Sequence, residues 1–347
     1  MLSDMPALDI IESFYLETRD GLFFAVKGLV HPPDRVIGVL RYVPDVERGE
    51  RIKAGVAYRR LYHFPEQEQL LRSAFPQYLM HDPVFQITSQ SVPKSLIHRI
   101  YDPRVRAHEL CSANQSEIAL ADAASFIRVL QASADVPLSA IGISGSILIG
   151  MHRRSSDLDI SIFGAQYCRK VYQALETLLQ LESNPELKRF DANGIVDLYE
   201  QRVPDTRMAF GEFSELERNK TCQGSFKNRP YFIRFLKEPG EIEERYGDVL
   251  YATIGRATIE AGVADDRDAI FTPCRYVLSD ARIIDGPEIS VDEVVSFRGR
   301  FCEQARTGET ITATGTVERV ESTKGRIHHR LLLGNSPEDT MTKKKPA

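Results

Sequence analysis

Two aspartates one residue apart, Asp157 and Asp159, run into the apolar stretch Leu158–Phe163. In a strand, side chains at i and i+2 point to the same face. Asp157 and Asp159 are therefore expected side by side, with Leu158 and Ile160 turned into the core. Two like charges that close repel unless a cation lies between them, and hard ions with oxygen ligands, Mg²⁺ or Mn²⁺, suit such a pair. Upstream, Ser144-Gly145-Ser146 reads as a tight turn. Gly145 lets the backbone approach a phosphate closely, and Ser146 offers a hydroxyl at the start of a helix, which together make a small anion site. Carboxylates for metal beside a turn for phosphates are what phosphoryl transfer requires: the ions neutralise the phosphates and activate the incoming hydroxyl, while the turn orients leaving pyrophosphate.

The elements that must position these groups follow from pattern. Ile141–Ser144 reads as a short buried strand, Ile147–Met151 as the opening of a helix, His152–Ser156 as a loop and Leu158–Phe163 as a second strand. His152, Arg153 and Arg154 lie in that loop, where they would meet triphosphate or acceptor or simply form a solvated basic loop. Tyr167–Leu181 is amphipathic at helical spacing, and Ser116–Ala132 is a second helix with Ser116 as its cap.

The run Ile141–Gly164, with Gly145-Ser146, a spacer from Ile147 to Ser156 and Asp157-Leu158-Asp159 followed by Ile160 and Ile162, resembles the DNA polymerase β-like nucleotidyltransferase superfamily. The resemblance implies transfer of a nucleoside monophosphate from a nucleoside triphosphate to RNA, protein or a small molecule, with release of pyrophosphate. It implies Mg²⁺ or Mn²⁺ on Asp157 and Asp159, and nucleotide held at Gly145, Ser146, Arg153 and Arg154. It also implies a third carboxylate on a later strand. Asp197 in Gly194–Tyr199 has the apolar flanks for that role, yet Ile195, Leu198, Tyr199 and Arg202 fit one face of a helix equally well. The next clear strand, Tyr231–Leu236, carries Arg234 where an acid is expected. Without a third acid the domain would bind nucleotide or RNA and not react it, which is the alternative reading.

The fold class expected is α+β: a nucleotidyltransferase-type mixed sheet with helices, an N-terminal β-rich domain and a small C-terminal β-barrel. The divisions are 1–103, β-hairpin-rich; 104–285, catalytic; 286–334, an OB-like barrel; and 335–347, a disordered tail. Strands are expected at Gly21–Leu29, Arg35–Val43, Ile52–Leu61, Pro230–Leu236, Ala252–Ala264, Glu293–Phe301, Glu309–Val320 and Ile327–Leu333. Lys27, His31, Asp34 and Arg41 are explained by alternation along two hairpin strands. Arg234 reads as a structural ion pair, and His328-His329 between Arg326 and Arg330 as a surface strand.

Composition narrows the class. The chain of 347 residues is 42% hydrophobic and 27% charged, enough to bury a core. A net charge of −5 argues against a surface coated for sequence-independent nucleic-acid binding, though not against a local basic groove. No apolar run reaches the roughly 20 residues a membrane helix needs, and Met1–Glu12, acidic at Asp4, Asp9 and Glu12, lacks the basic start of a signal peptide. The five cysteines form no C-x-x-C pair, so free thiols in a reducing cytoplasm are expected.

Overall fold

The computed structural model describes residues 9–182, 184–205 and 207–344, an α+β chain with three sheets. The first sheet is built from β1 (Tyr15–Thr18), β2 (Phe23–Val26), β3 (Arg35–Pro44), β4 (Arg51–Lys53) and β5 (Val56–Arg60), then, after α1 (Phe64–Ala74), β6 (Leu79–Asp82), β7 (Ile87–Pro93) and β8 (Ile97–Tyr101). From Arg35 to Tyr42, burial along β3 alternates residue by residue, as a half-buried strand requires. Opposite Phe23 and Phe24 it carries an extra residue between Leu40 and Tyr42, a bulge at Arg41. The strand expected over Ile52–Leu61 is instead the hairpin β4–β5, turned at Ala54 and Gly55, both with positive φ, the backbone that two-residue hairpins need.

The second layer begins with α2 (Pro103–Ser112), capped by Asp102, which accepts the Arg104 N–H at 2.8 Å. Then come α3 (Ile118–Ala134), β9 (Ile141–Ile143), α4 (Gly145–Leu148), β10 (Leu158–Phe163), α5 (Ala165–Gln180), β11 (Leu187–Lys188), α6 (Ala192–Arg202), α7 (Phe210–Glu217), β12 (Gln223–Phe226) and β13 (Arg229–Leu236). Glu117, not Ser116, is the residue at the start of α3. The sheet order is β11-β12-β13-β10-β9, with β10 parallel to β13 and antiparallel to β9. Leu158, Ile160 and Ile162 of β10, and Tyr231, Ile233 and Phe235 of β13, pack beneath the sheet with α3 and α5. Phe163 and Leu236, the last residues of β10 and β13, belong to the core of the N-terminal sheet, so the first two layers share one hydrophobic seam.

The third sheet comprises β14 (Val249–Asp268), β15 (Cys274–Asp285), β16 (Glu293–Ser296), β17 (Thr310–Ser322), β18 (Ile327–Leu333) and β19 (Thr340–Lys343). Its pairing runs β14-β15-β16-β18-β17 and returns to β14, with β16 and β18 parallel. The ring encloses its own core, including Ile259, Tyr276, Val294, Val317 and Leu331.

Two expectations are corrected here. β14 and β15, placed by sequence within 104–285, pair with the C-terminal strands. β14 is one 20-residue strand that meets β17 along its first part and β15 along its last, and composition alone cannot reveal that shared use. The tail expected to be disordered from Asn335 is ordered to Lys344. Asp339, fully buried, accepts the backbone N–H groups of Gly334, Asn335 and Ser336 at 2.8, 2.9 and 3.0 Å, and β19 then pairs with β17. Residues 345–347 lie outside the described residues. All five thiols are free, and among the described residues no helix is long and apolar enough to cross a membrane.

Candidate active site

Asp159 stands in the middle of the second sheet. Its strand neighbours are buried and it faces the opposite side, as does Ser161. Asp157 lies just before the strand and is exposed. Alternation sends Asp159 to the side away from Leu158 and Ile160, and the Asp157 charge lies near enough to act on it. The Asp159 carbonyl accepts the Ser144 N–H at 2.7 Å, which fixes the turn between β9 and α4 against β10. Gly145 has φ +61, and a methyl group added there would sit 2.0 Å from Asp159 Oδ2. Only glycine fits between turn and carboxylate.

The two aspartates differ from the chain's buried acids, which are hydrogen-bonded or ion-paired. Among the described residues neither side chain makes a hydrogen bond or an ion pair. Burial, and then the neighbouring Asp157 charge, push the Asp159 carboxyl up to about 6, while Arg234, Arg60 and Arg41 pull the other way. Asp159 thus meets its countercharges at longer range, without contact.

Those arginines come from two sheets. Arg234 lies on β13 next to Ser161 in register, and Phe232 sits directly opposite Asp159. Arg41 is the bulged residue of β3, a position that re-aims a side chain; its carbonyl accepts the Leu61 N–H at 2.9 Å, and its side chain makes no hydrogen bond or ion pair among the described residues. Arg60, at the end of β5, rests over the Tyr62 ring at 4.5 Å and leaves its buried Nε without an acceptor. Glu12 is buried between Lys27 Nζ, at 2.6 Å, and Arg234 Nε, at 3.4 Å. Burial opposes its charge, but Lys27 and Arg234 hold its carboxyl below the usual range. Burial lowers Lys27 to about 8 against the pull of Glu12. Arg234 is therefore in an ion pair, as expected, and also belongs to the field around Asp159.

The N-terminal sheet closes over the turn. Ser13 accepts the Ser144 hydroxyl on its carbonyl at 2.6 Å and the Ser161 hydroxyl on its Oγ at 2.8 Å. Lys53 Nζ donates to the Ile149 carbonyl at 2.6 Å and Arg51 Nη1 to that of Met151 at 3.0 Å. Leu148, Ile149 and Met151 pack against Tyr15, Phe23, Tyr42, Tyr58 and Tyr101.

Several sequence-derived assignments need correction. α4 is a single turn, because Gly150 at φ +69 ends it, so no long helix begins at the Ser-Gly-Ser turn and no macrodipole builds up behind it. Ser146 is buried, and its hydroxyl is already given to Ser156 Oγ at 3.1 Å. Asp197 is exposed on helix α6, not on a strand; the helical face Ile195, Leu198, Tyr199 is the pattern that prevails. It adds no third ligand: among the described residues no group of three or more His, Cys, Asp or Glu could hold a metal. The sheet position opposite Asp159 holds Phe232, with Arg234 beyond it.

Arg153 and Arg154 are exposed at the rim. Arg153 donates to the Glu50 carbonyl. The loop beneath them is pinned by Arg229, which donates to the Arg154 and Ser156 carbonyls at 2.8 and 2.7 Å and pairs with Asp122 at 3.0 Å. His152 Nε2 lies 3.1 Å from Glu117 Oε2. The alternation along two strands invoked for Lys27, His31, Asp34 and Arg41 does not apply to the first three, which lie in the connection between β2 and β3, where His31 Nδ1 accepts the Ile37 N–H at 3.2 Å. It misses Arg41. A charged residue flanked by Leu40 and Tyr42 at the end of an alternating strand was the available signal; nothing local marks Arg60 or Glu12. The surface strand expected at His328-His329 is partly inward: Arg330 is buried and pairs with Glu318 at 2.8 Å, and His328 lies 3.2 Å from Glu293.

The chain is 28% identical over 331 residues to an uncharacterised protein of Methanocaldococcus jannaschii, covering 93% of this chain and 95% of that one. No protein-family model matches the chain, and no solved structure matches it.

Proposed function

We propose that the chain is a metal-dependent nucleotidyltransferase of the DNA polymerase β-like type. It moves a nucleoside monophosphate from a nucleoside triphosphate to RNA, protein or a small molecule and releases pyrophosphate. One observation carries this reading: two neighbouring carboxylates, one of them largely buried, have no hydrogen-bond or ion-pair partner among the described residues, where the other buried acids are bonded. Mg²⁺ typically binds through one or two carboxylates and completes its shell with water and substrate phosphates, so Asp157 and Asp159 fit as the protein ligands of an ion arriving with the nucleotide. Such an ion supplies charge neutralisation at the phosphates and a lowered pKa at the acceptor hydroxyl.

The remaining work falls to the chain. Gly145 keeps the backbone close to Asp159, with no Cβ to clash with its carboxylate. Arg41, Arg60 and Arg234 supply positive charge around the carboxylates, where phosphate oxygens would gather. In the reaction the acceptor oxygen forms a bond to the α-phosphorus, the bond from that phosphorus to the bridging oxygen breaks, and the acceptor proton passes to solvent. Around the site, the ring order of the C-terminal strands with its parallel β16–β18 pair supports an OB-like barrel, a scaffold often used to hold nucleic acid. Five free thiols suit a reducing cytoplasm.

A second reading rests on Phe232 and Arg234. With an aromatic ring and a cation where the third acid is expected, the core would bind nucleotide or RNA without turnover. Calorimetry with Mg²⁺ and each triphosphate, run beside a pyrophosphate-release assay, separates the two readings. The transferase reading expects binding with release, and a loss of release of about a thousandfold in Asp157→Asn and Asp159→Asn. Equal turnover in wild type and both variants rejects it, and binding without any release favours the second reading.

A further inference from the structure

The turn after β16 brings the barrel to the carboxylates. A methyl group on Gly299 would sit 2.4 Å from Phe232 Cζ, and Phe232 is the register partner of Asp159. Gly299 is flanked by Arg298 and Arg300. Arg298 lies close enough to Arg41 for their charges to repel, and Arg300 is repelled by Arg298 and Arg202. Burial, followed by Arg298, lowers Arg300 to about 10.

The acids facing this group are few. Asp205 approaches Arg298 only to 3.8 Å, with both side chains about half exposed. Asp339 is engaged by Arg256 at 2.8 Å and by three backbone N–H groups. Arg202 is already bonded to Glu217 and Gln223. The Nε and Nη2 atoms of Arg300 are buried and have no acceptor. Buried donors are normally satisfied, because an unmet one costs about 1–3 kcal/mol. Guanidinium groups crowded together with open donors match the oxygens of a phosphate.

We propose that Arg298 and Arg300, with the neighbouring Arg41, form a phosphate-binding subsite beside the carboxylate pair, separate from the Gly145 turn. Its ligand is a phosphoryl group, carried either by the polyphosphate of a nucleotide or by the backbone of a nucleic-acid strand. The subsite does not depend on the transferase reading, since it would hold phosphate whether or not the carboxylates support turnover.

The test is equilibrium binding by the full chain at low ionic strength without divalent ions. The probes are inorganic tripolyphosphate, ATP and a short single-stranded RNA with a 5′-hydroxyl. The proteins are wild type, Arg298→Ala, Arg300→Gln and the double variant, with thermal melting as the check on folding. Each arginine variant is expected to weaken binding at least about tenfold, as for loss of a charge-assisted hydrogen bond. Weakening toward tripolyphosphate and ATP assigns the subsite to the nucleotide tail. Weakening toward RNA alone assigns it to a strand. Wild type that binds none of the three, or folded Arg298→Ala and double variants that bind all three like wild type, overturns the proposal. Arg298 is half exposed, so its variant keeps the test open even where Arg300→Gln fails to fold.

Discussion

Glu217 and Asp159 are both carboxylates within reach of arginines, and the protein treats them in opposite ways. Glu217 is almost fully buried and accepts from Lys220 Nζ at 2.7 Å, Arg202 Nη1 at 2.8 Å and Gln223 Nε2 at 2.7 Å. Burial opposes its charge, but Lys220 and Arg202 more than offset this, and its carboxyl is held below the usual range. Asp159 has three arginines nearby, none within bonding distance, and its carboxyl is raised. One carboxylate is tied into the fold, and the other is left open beside Asp157. On the proposed function, the difference separates an acid that holds elements together from one kept ready for a ligand.

The comparison can be broken by substitution. Glu217→Ala strands the buried Lys220 ammonium and should destabilise the protein by about 3–5 kcal/mol in urea unfolding; a change under about 1 kcal/mol would mean that Glu217 is no more structural than Asp159. Gly145→Ala forces a methyl group against Asp159 Oδ2 and places a side chain at positive φ. We expect a cost of about 1–3 kcal/mol together with loss of nucleotide binding, and unchanged calorimetry would remove the turn from the site.

Asp159→Asn should act in the opposite direction to Glu217→Ala. The metal-free fold binds a proton at Asp159 that the unfolded chain has lost between pH 3.8 and about 6. Wild-type stability therefore falls as pH rises through that window. Above it, Asp159→Asn should be the more stable protein by about 1–2 kcal/mol after screening in the open cleft, and the advantage should vanish below pH about 4. Melting curves at several pH values decide this; a variant less stable than wild type at pH 8 would show that Asp159 is a structural acid. The smallest effect is expected at Asp197. Exposed on α6, its change to Ala should alter stability by no more than about 0.5 kcal/mol and leave pyrophosphate release intact, and a large loss of release would return it to the site.

Much of this site was legible because its geometry is local. Leu158–Phe163 alternates as one strand, so the facing of Asp159 follows from a two-residue period, and the approach of Gly145 follows from a turn within the same segment. Asp197 was ambiguous because a six-residue apolar stretch fits strand and helix alike, and only the packing of Ile195 and Tyr199 selects the helix. Arg41 carried one local signal, a charge between Leu40 and Tyr42, but the bulge in β3 and the β3–β5 pairing that place Arg41 and Arg60 are non-local. The limits of the last sheet were hidden for a similar reason: β14 serves two partners, and the order of the tail depends on Asp339 closing a loop around its own buried carboxylate.

The central claim is that Asp157 and Asp159 share a divalent ion delivered with a nucleotide. Its most direct test is a crystal structure with Mn²⁺ and a non-hydrolysable nucleoside triphosphate analogue, read by anomalous scattering. The account predicts a manganese peak bridging the two carboxylates at about 2.0–2.3 Å, with triphosphate oxygens completing the shell. Bound nucleotide with manganese elsewhere, or with the two carboxylates turned from the metal, would contradict it.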